Sequence, residues 1–174
     1  MNGIRIGRRE ITPLFDLAAW EALEDKGVAL DRLLVEIDAH KPWAAGEEID
    51  AGDRRTLDGV IWQATRAHKA AEDKKPGAAE HWQEAGRDSA AHRRKMIIML
   101  TALLCNNALE ARGEKPDVTE EQIKHGVPPK YLPQMRLACV MAISKGMRSD
   151  YDEADEEPVD VVLEEITKKH SPGE

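Results

Sequence analysis

The sequence predicts a mainly α fold of about four helices, broken near its middle by a small β insertion. Three observations carry that expectation. Apolar residues recur at helical spacing on both sides of the middle segment. Between Lys41 and Gly86 the text changes to glycine punctuation, spaced tryptophans and short alternating runs. Aromatic residues make up only 4 % of the chain, so a core must rest on Leu, Ile, Met, Val and Ala. The chain divides accordingly into a helical body at 1–40 and 87–148, an inserted β module at 41–86, and an acidic linker with a C-terminal arm at 149–174.

Residues 1–10 read as an extended arm carrying Arg5, Arg8 and Arg9. Thr12-Pro13 then predicts a helix start, with Thr as N-cap and Pro at the first helical position, where its missing N–H costs nothing. Leu14, Leu17 and Ala18 supply its apolar stripe, and Gly27 closes it. A second helix from about Val28 places Leu30, Leu33, Leu34 and Ile37 on one face, and the two helices read as an antiparallel pair. In the middle segment Asp58-Gly59 lies between Arg55-Thr56-Leu57 and Val60-Ile61-Trp62-Gln63-Ala64. That is a hairpin signal, because Asp-Gly supplies the positive φ values of a type I′ turn. Glu72 to Gly77 reads as a loop, and Trp82 closes the segment.

Helix returns at about Ser89. Arg93, Arg94 and Lys95 form a basic patch, followed by Met96 to Leu100 and Ala102 to Cys105, apolar on more than one side and therefore central. Asn106-Asn107 interrupts this helix without ending it. Val118 to Gln122 suits one helical turn, and Pro128-Pro129 and Pro133 open a last helix that Gly146 stops. Leu132, Met135, Cys139, Ala142 and Ile143 form its buried face. From Ser149 to Glu165 the sequence has acids and no Lys or Arg, and within that stretch lie the β-prone residues Val159, Val161, Val162 and Leu163.

With 33 % charged residues and a net charge of −8, bulk attraction to nucleic acid is not expected. No apolar stretch follows Met1 to Glu10, and Met96 to Cys105 is about half a bilayer span, so synthesis in the cytoplasm without a membrane partner is expected. Cys105 and Cys139 lack disulfide or zinc spacing and read as small core residues. His68 and His81 have no third ligand to complete a metal set. Glu47-Glu48 and Asp50 are acids without an evident cleft to split their pKa values. No nucleophile elbow, phosphate loop or metalloprotease motif is present, so neither catalysis nor a cofactor is expected.

The run Trp43 … Gly46, Gly52-Asp53, Asp58-Gly59-Val-Ile-Trp62-Gln-Ala64, His68, Pro76-Gly77 and His81-Trp82 resembles the small chitin- and cellulose-binding carbohydrate modules of bacterial chitinases and phage virion proteins. The resemblance implies a three-stranded domain and exposed rings that stack on sugar. The places where that family carries stacking rings are Thr65, Arg66 and Ala67 here. Trp43, Trp62 and Trp82 are thus candidates for sugar contact but read better as the module's own core.

The helical body offers a second likeness. The helix from Arg93 to Leu109, followed by Val127-Pro-Pro-Lys-Tyr-Leu-Pro-Gln-Met-Arg to Lys145-Gly146, is similar to the small neck proteins of Mu-like phages. That likeness implies an adaptor-like helical bundle acting as a head–tail connector subunit in the virion. Its partners would be further copies in a ring, the portal and tail or neck proteins, with DNA passing through the lumen. The aromatic positions expected in the long helix and in the last one are Asn and Met here. Arg5, Arg8 and Arg9, together with Val159, Val161, Val162 and Leu163, are the candidate subunit-interface residues. Two alternatives stay open: a glycan-binding attachment protein, and a tail-assembly helper that never enters the particle.

Overall fold

The computed structural model describes residues 3–78 and 80–148. Residues 149–174, with the interface candidates Val159, Val161, Val162 and Leu163, lie outside the described residues. The chain opens with a hairpin, β1 (Ile4–Ile6) and β2 (Arg9–Ile11), in antiparallel register. Gly7 turns it at φ 60°, a value a side chain resists. Ile4, Ile6 and Ile11 are buried in the core of the helical body. The expected extended arm is therefore a folded hairpin. Three isoleucines on one face bury enough apolar surface to hold it down, despite the charges of Arg5, Arg8 and Arg9.

Residues 12–15 cross the body as extended chain: the Leu14 N–H donates to Leu104 O, and Asn107 Nδ2 donates to Leu14 O. Helix α1 (Leu17–Asp25) begins only afterwards, capped by Asp16, whose Oδ1 accepts from the Ala19 N–H. The expected start at Thr12-Pro13 loses because Pro13 and Phe15 are buried there as extended chain. Leu17, expected on the apolar stripe, is 72 % exposed. Helix α2 (Leu30–Glu36) follows, and α1 and α2 both rest on α3 (Ala90–Ala111).

The middle segment holds six strands. β3 (Lys41–Pro42), β5 (Arg54–Leu57), β6 (Val60–Ala64) and β8 (Trp82–Arg87) form a four-stranded sheet in the order β3-β5-β6-β8. β4 (Glu48–Ile49) and β7 (His68–Lys69) form a separate ribbon. Asp58 and Gly59 have φ of 51° and 78°, as the Asp-Gly turn signal requires. The expected three strands become four because β3 adds a parallel pair on β5, a pairing that leaves no turn signal in the sequence.

α3 is the hub. Ile97, Leu100, Leu104, Cys105, Ala108 and Leu109 are buried along it, and β2, α1, α2, α4 (Glu120–Gly126) and α5 (Leu132–Gly146) all pack against it. α4 begins with a reciprocal capping box between Thr119 and Gln122. The fold is α/β, with five helices and eight strands among the described residues, 46 % helix against 19 % strand. This overturns the expectation of a mainly α bundle of about four helices. The N-terminal hairpin, the fuller module and α4 together make the difference.

Candidate functional site

The three module tryptophans come together. Trp82 is buried with Ile49, Ala64 and Ala70, and Trp43 and Trp62 pack half-buried against them. Trp82 Nε1 donates to Lys74 O at 2.8 Å, and Gly77 leaves room for the edge of the Trp62 ring, which would stand 3.3 Å from any Cβ there. Thr65, Arg66 and Ala67 are exposed, and Thr65 Oγ1 donates to Glu80 O. No aromatic ring stands at those three places to cover a pyranose face. His68 and His81 stack edge to face, 4.9 Å between centroids, with His68 also against Trp82. Burial, then the Arg66 charge, pushes the His81 imidazole below its ordinary pKa. Among the described residues no cluster of three or more His, Cys, Asp or Glu side chains is placed to hold a metal.

Two acids of the module, Glu47 and Asp53, are engaged in ion pairs. Glu47 accepts from Lys41 at 2.6 Å and from Arg55, whose guanidinium also reaches Asp53. The Lys41 hydrogen bond leads the effects that hold the Glu47 carboxyl below the usual range. Asp50 accepts at its carbonyl from the Asp53 N–H in the tight turn between β4 and β5.

The module meets the body at a carboxylate the sequence reading passed over. Glu36, at the end of α2, is 6 % exposed. It accepts from His92 Nε2 of α3 at 2.7 Å, from the Arg87 N–H of β8 at 3.0 Å and from Arg32 Nε at 2.9 Å. Burial alone would raise its pKa, but the hydrogen bonds from His92, Arg32 and Arg87 outweigh it and hold the carboxyl below the ordinary glutamate value. Gly86 is glycine because a Cβ there would stand 2.8 Å from Glu36 Cγ. Glu36 lies off the face of α2 that carries Leu30, Leu33, Leu34 and Ile37, and the arrival of β8 buries it.

The arginines divide. Arg9 pairs with Asp117, which it holds below the usual carboxylate range. Arg8 is exposed at the hairpin turn, and Arg5 lines a groove beside β1. Of the basic patch, Arg93 pairs with Asp88 at 2.7 Å, which leaves Arg94 and Lys95 exposed.

The exposed apolar side chains gather on α5. Leu137 and Met141, four apart on one face, are 52 % and 42 % exposed. Met147 is 51 % exposed just after the helix end, and Gly146 lies against the Phe15 carbonyl. The opposite face, with Met135, Ala138, Cys139 and Ile143, fills the core. Among the described residues no helix is long and apolar enough to cross a membrane. Of the protein families, characterised proteins and solved structures compared with this chain, none matches.

Proposed function

We propose that this chain serves the assembly of a phage or prophage particle through protein–protein contact, as a tail-assembly helper that holds a partner without catalysis. The phage setting rests on the likeness of the α3 to α5 sequence to small neck proteins. The observation that favours a helper is the exposed pair Leu137 and Met141 on one face of α5, left outside a core that is already filled. Large apolar side chains grouped on one helix are a surface for a partner, and methionine adapts to varied partner shapes. The net charge of −8 opposes self-association of free copies.

A second reading is the connector subunit, standing in a ring with portal and tail proteins. The exposed Arg5 and Arg8 favour it, since they could meet acidic surface on the next copy. Its mechanism loses the N-terminal arm, which is folded down as β1 and β2. Glycan attachment has less support, since Trp82 is spent on the module core and the stacking places lack rings.

Mass spectrometry of purified particles and of the lysate that produced them tests the choice. A helper is abundant in the lysate, co-purifies with a tail component and is missing from the particle. A fixed copy number in the particle would replace the helper with the connector. Substituting Leu137→Glu with Met141→Glu should break the co-purification while leaving helical circular dichroism intact.

A further inference from the structure

At the end of the module where β6 runs out and β8 begins, two histidine rings are packed together. His68 of β7 and His81, just before β8, meet edge to face at 4.9 Å, and the His68 ring meets Trp82 the same way at 5.1 Å. His68 Nδ1 lies 2.9 Å from Arg66 O. A carbonyl only accepts, so Nδ1 carries the proton of the neutral ring and Nε2 carries none. His68 Nε2 and His81 Nδ1 are both shielded from solvent and have no hydrogen-bond partner among the described residues. A neutral imidazole tolerates a bare nitrogen in such a place. An imidazolium does not, because it adds an N–H without an acceptor and a charge without solvent. The same spot ties the chain together. The Thr65 N–H donates to His81 O at 2.8 Å, Thr65 Oγ1 donates to Glu80 O at 3.2 Å, and Trp82 Nε1 donates to Lys74 O.

We propose that the His68–His81 pair is an acid-released latch: it holds the start of β8 against the end of β6 while His81 is neutral, and lets go when His81 takes up a proton. The surroundings of His81 set that direction. Burial comes first against a charge there, followed by Arg66 from the loop after β6, His68 of β7 and Lys74 from the short turn at Glu72–Lys74. Glu80, its exposed neighbour, favours one. The folded chain thus holds the imidazole below its ordinary pKa. The unfolded chain takes the proton first as pH falls. Stability from the closed latch is therefore full above the ordinary histidine value, drops as pH passes below it, and levels off beneath the folded value. Glu36 and Glu47 are held below the ordinary glutamate range, so they stay ionised across that window. Opening is confined to one end of β8, because the Arg87 N–H keeps the other end on Glu36. What the latch covers is Trp82 and, through it, the apolar centre of the module.

The latch does not depend on the phage reading; particle composition tests that one, and the following test leaves it untouched. Hydrogen exchange of the full chain is followed by mass spectrometry at about pH 7.5 and about pH 5, corrected for the intrinsic pH dependence of amide exchange. Peptides covering 62–70 and 80–85 should lose protection at least about threefold at the lower pH, with α5 unchanged. His81→Gln removes the titrating ring and should abolish that loss. Arg66 and Glu80 are exposed, so variants there keep the fold even where His81→Gln does not. Arg66→Gln should shrink the loss, and Glu80→Gln should enlarge it. Equal protection at both pH values overturns the proposal. Greater protection in acid also overturns it, since the two rings would then share the proton. So does a loss that persists in folded His81→Gln, or one that neither charge variant moves.

Discussion

Glu36→Gln perturbs the seam between module and body while keeping the side-chain volume. The carboxylate accepts three hydrogen bonds, of which the Arg32 guanidinium is 55 % exposed and contributes little. The Arg87 N–H and His92 are shielded, and each loses a charged acceptor for a neutral or mismatched one. At about 1 kcal/mol for each such exchange, Glu36→Gln costs about 2 kcal/mol at neutral pH. The assay is urea unfolding followed by tryptophan fluorescence, dominated by Trp43, Trp62 and Trp82, and by helical circular dichroism. Both probes should shift together, because Glu36 ties α2, α3 and β8 at one point. The pH dependence has a definite sign. Glu36 is held below its ordinary pKa, so its contribution is full above the unfolded value and is lost as pH falls through the lower folded value. The gap between the native chain and Glu36→Gln should therefore be full at pH 7 and close below about pH 4. A cost under about 0.5 kcal/mol, the range of ordinary surface changes, would refute the claim that this carboxylate joins the two parts.

Gly146→Ala should destabilise by more than about 2 kcal/mol, although glycine to alanine within a helix normally gains up to about 1 kcal/mol. The new Cβ would fall inside contact distance of the Phe15 carbonyl, and urea midpoints read the sign directly. Cys105 and Cys139 should resist a thiol reagent at pH 8 in the native chain and both react in denaturant, because burial pushes them up to about 12 and about 11. Thr119→Ala removes half of the capping box and should cost about 1 kcal/mol, seen as faster exchange of α4 amides before any global change.

The strongest sequence signals were those made by local chemistry. Asp58-Gly59 forms its hairpin turn, Ser89 caps α3, and the prolines at 128, 129 and 133 open α5 where expected. Signals failed where a distant segment decided the outcome. Thr12-Pro13 has the form of a helix start, but α3 offers Leu104 O and Asn107 to an extended chain, and those contacts win. Asn106 and Asn107 looked like a blemish in an apolar helix. They are the ties for two passing segments: Asn106 exchanges hydrogen bonds with the backbone of Val118, and Asn107 holds Leu14 and Asp16.

The same distinction governs the candidate site. Ile4, Ile6 and Ile11 already alternate about Gly7, which is a hairpin pattern, yet Arg5, Arg8 and Arg9 drew the reading toward a charged arm. Period two outranks charge here because the isoleucines have a core to enter, whereas the arginines have only solvent and Asp117. That exchange changes the mechanism. An arm reaches a neighbour by its own length, but a hairpin packed on α3, α4 and α5 is held to the body and offers only its outer surface. A contact at such a surface orders little on the hairpin side, because the hairpin is already fixed. On that logic, substitutions of Leu137 and Met141 on α5 should change which partner is held, while those in β1 should act through stability.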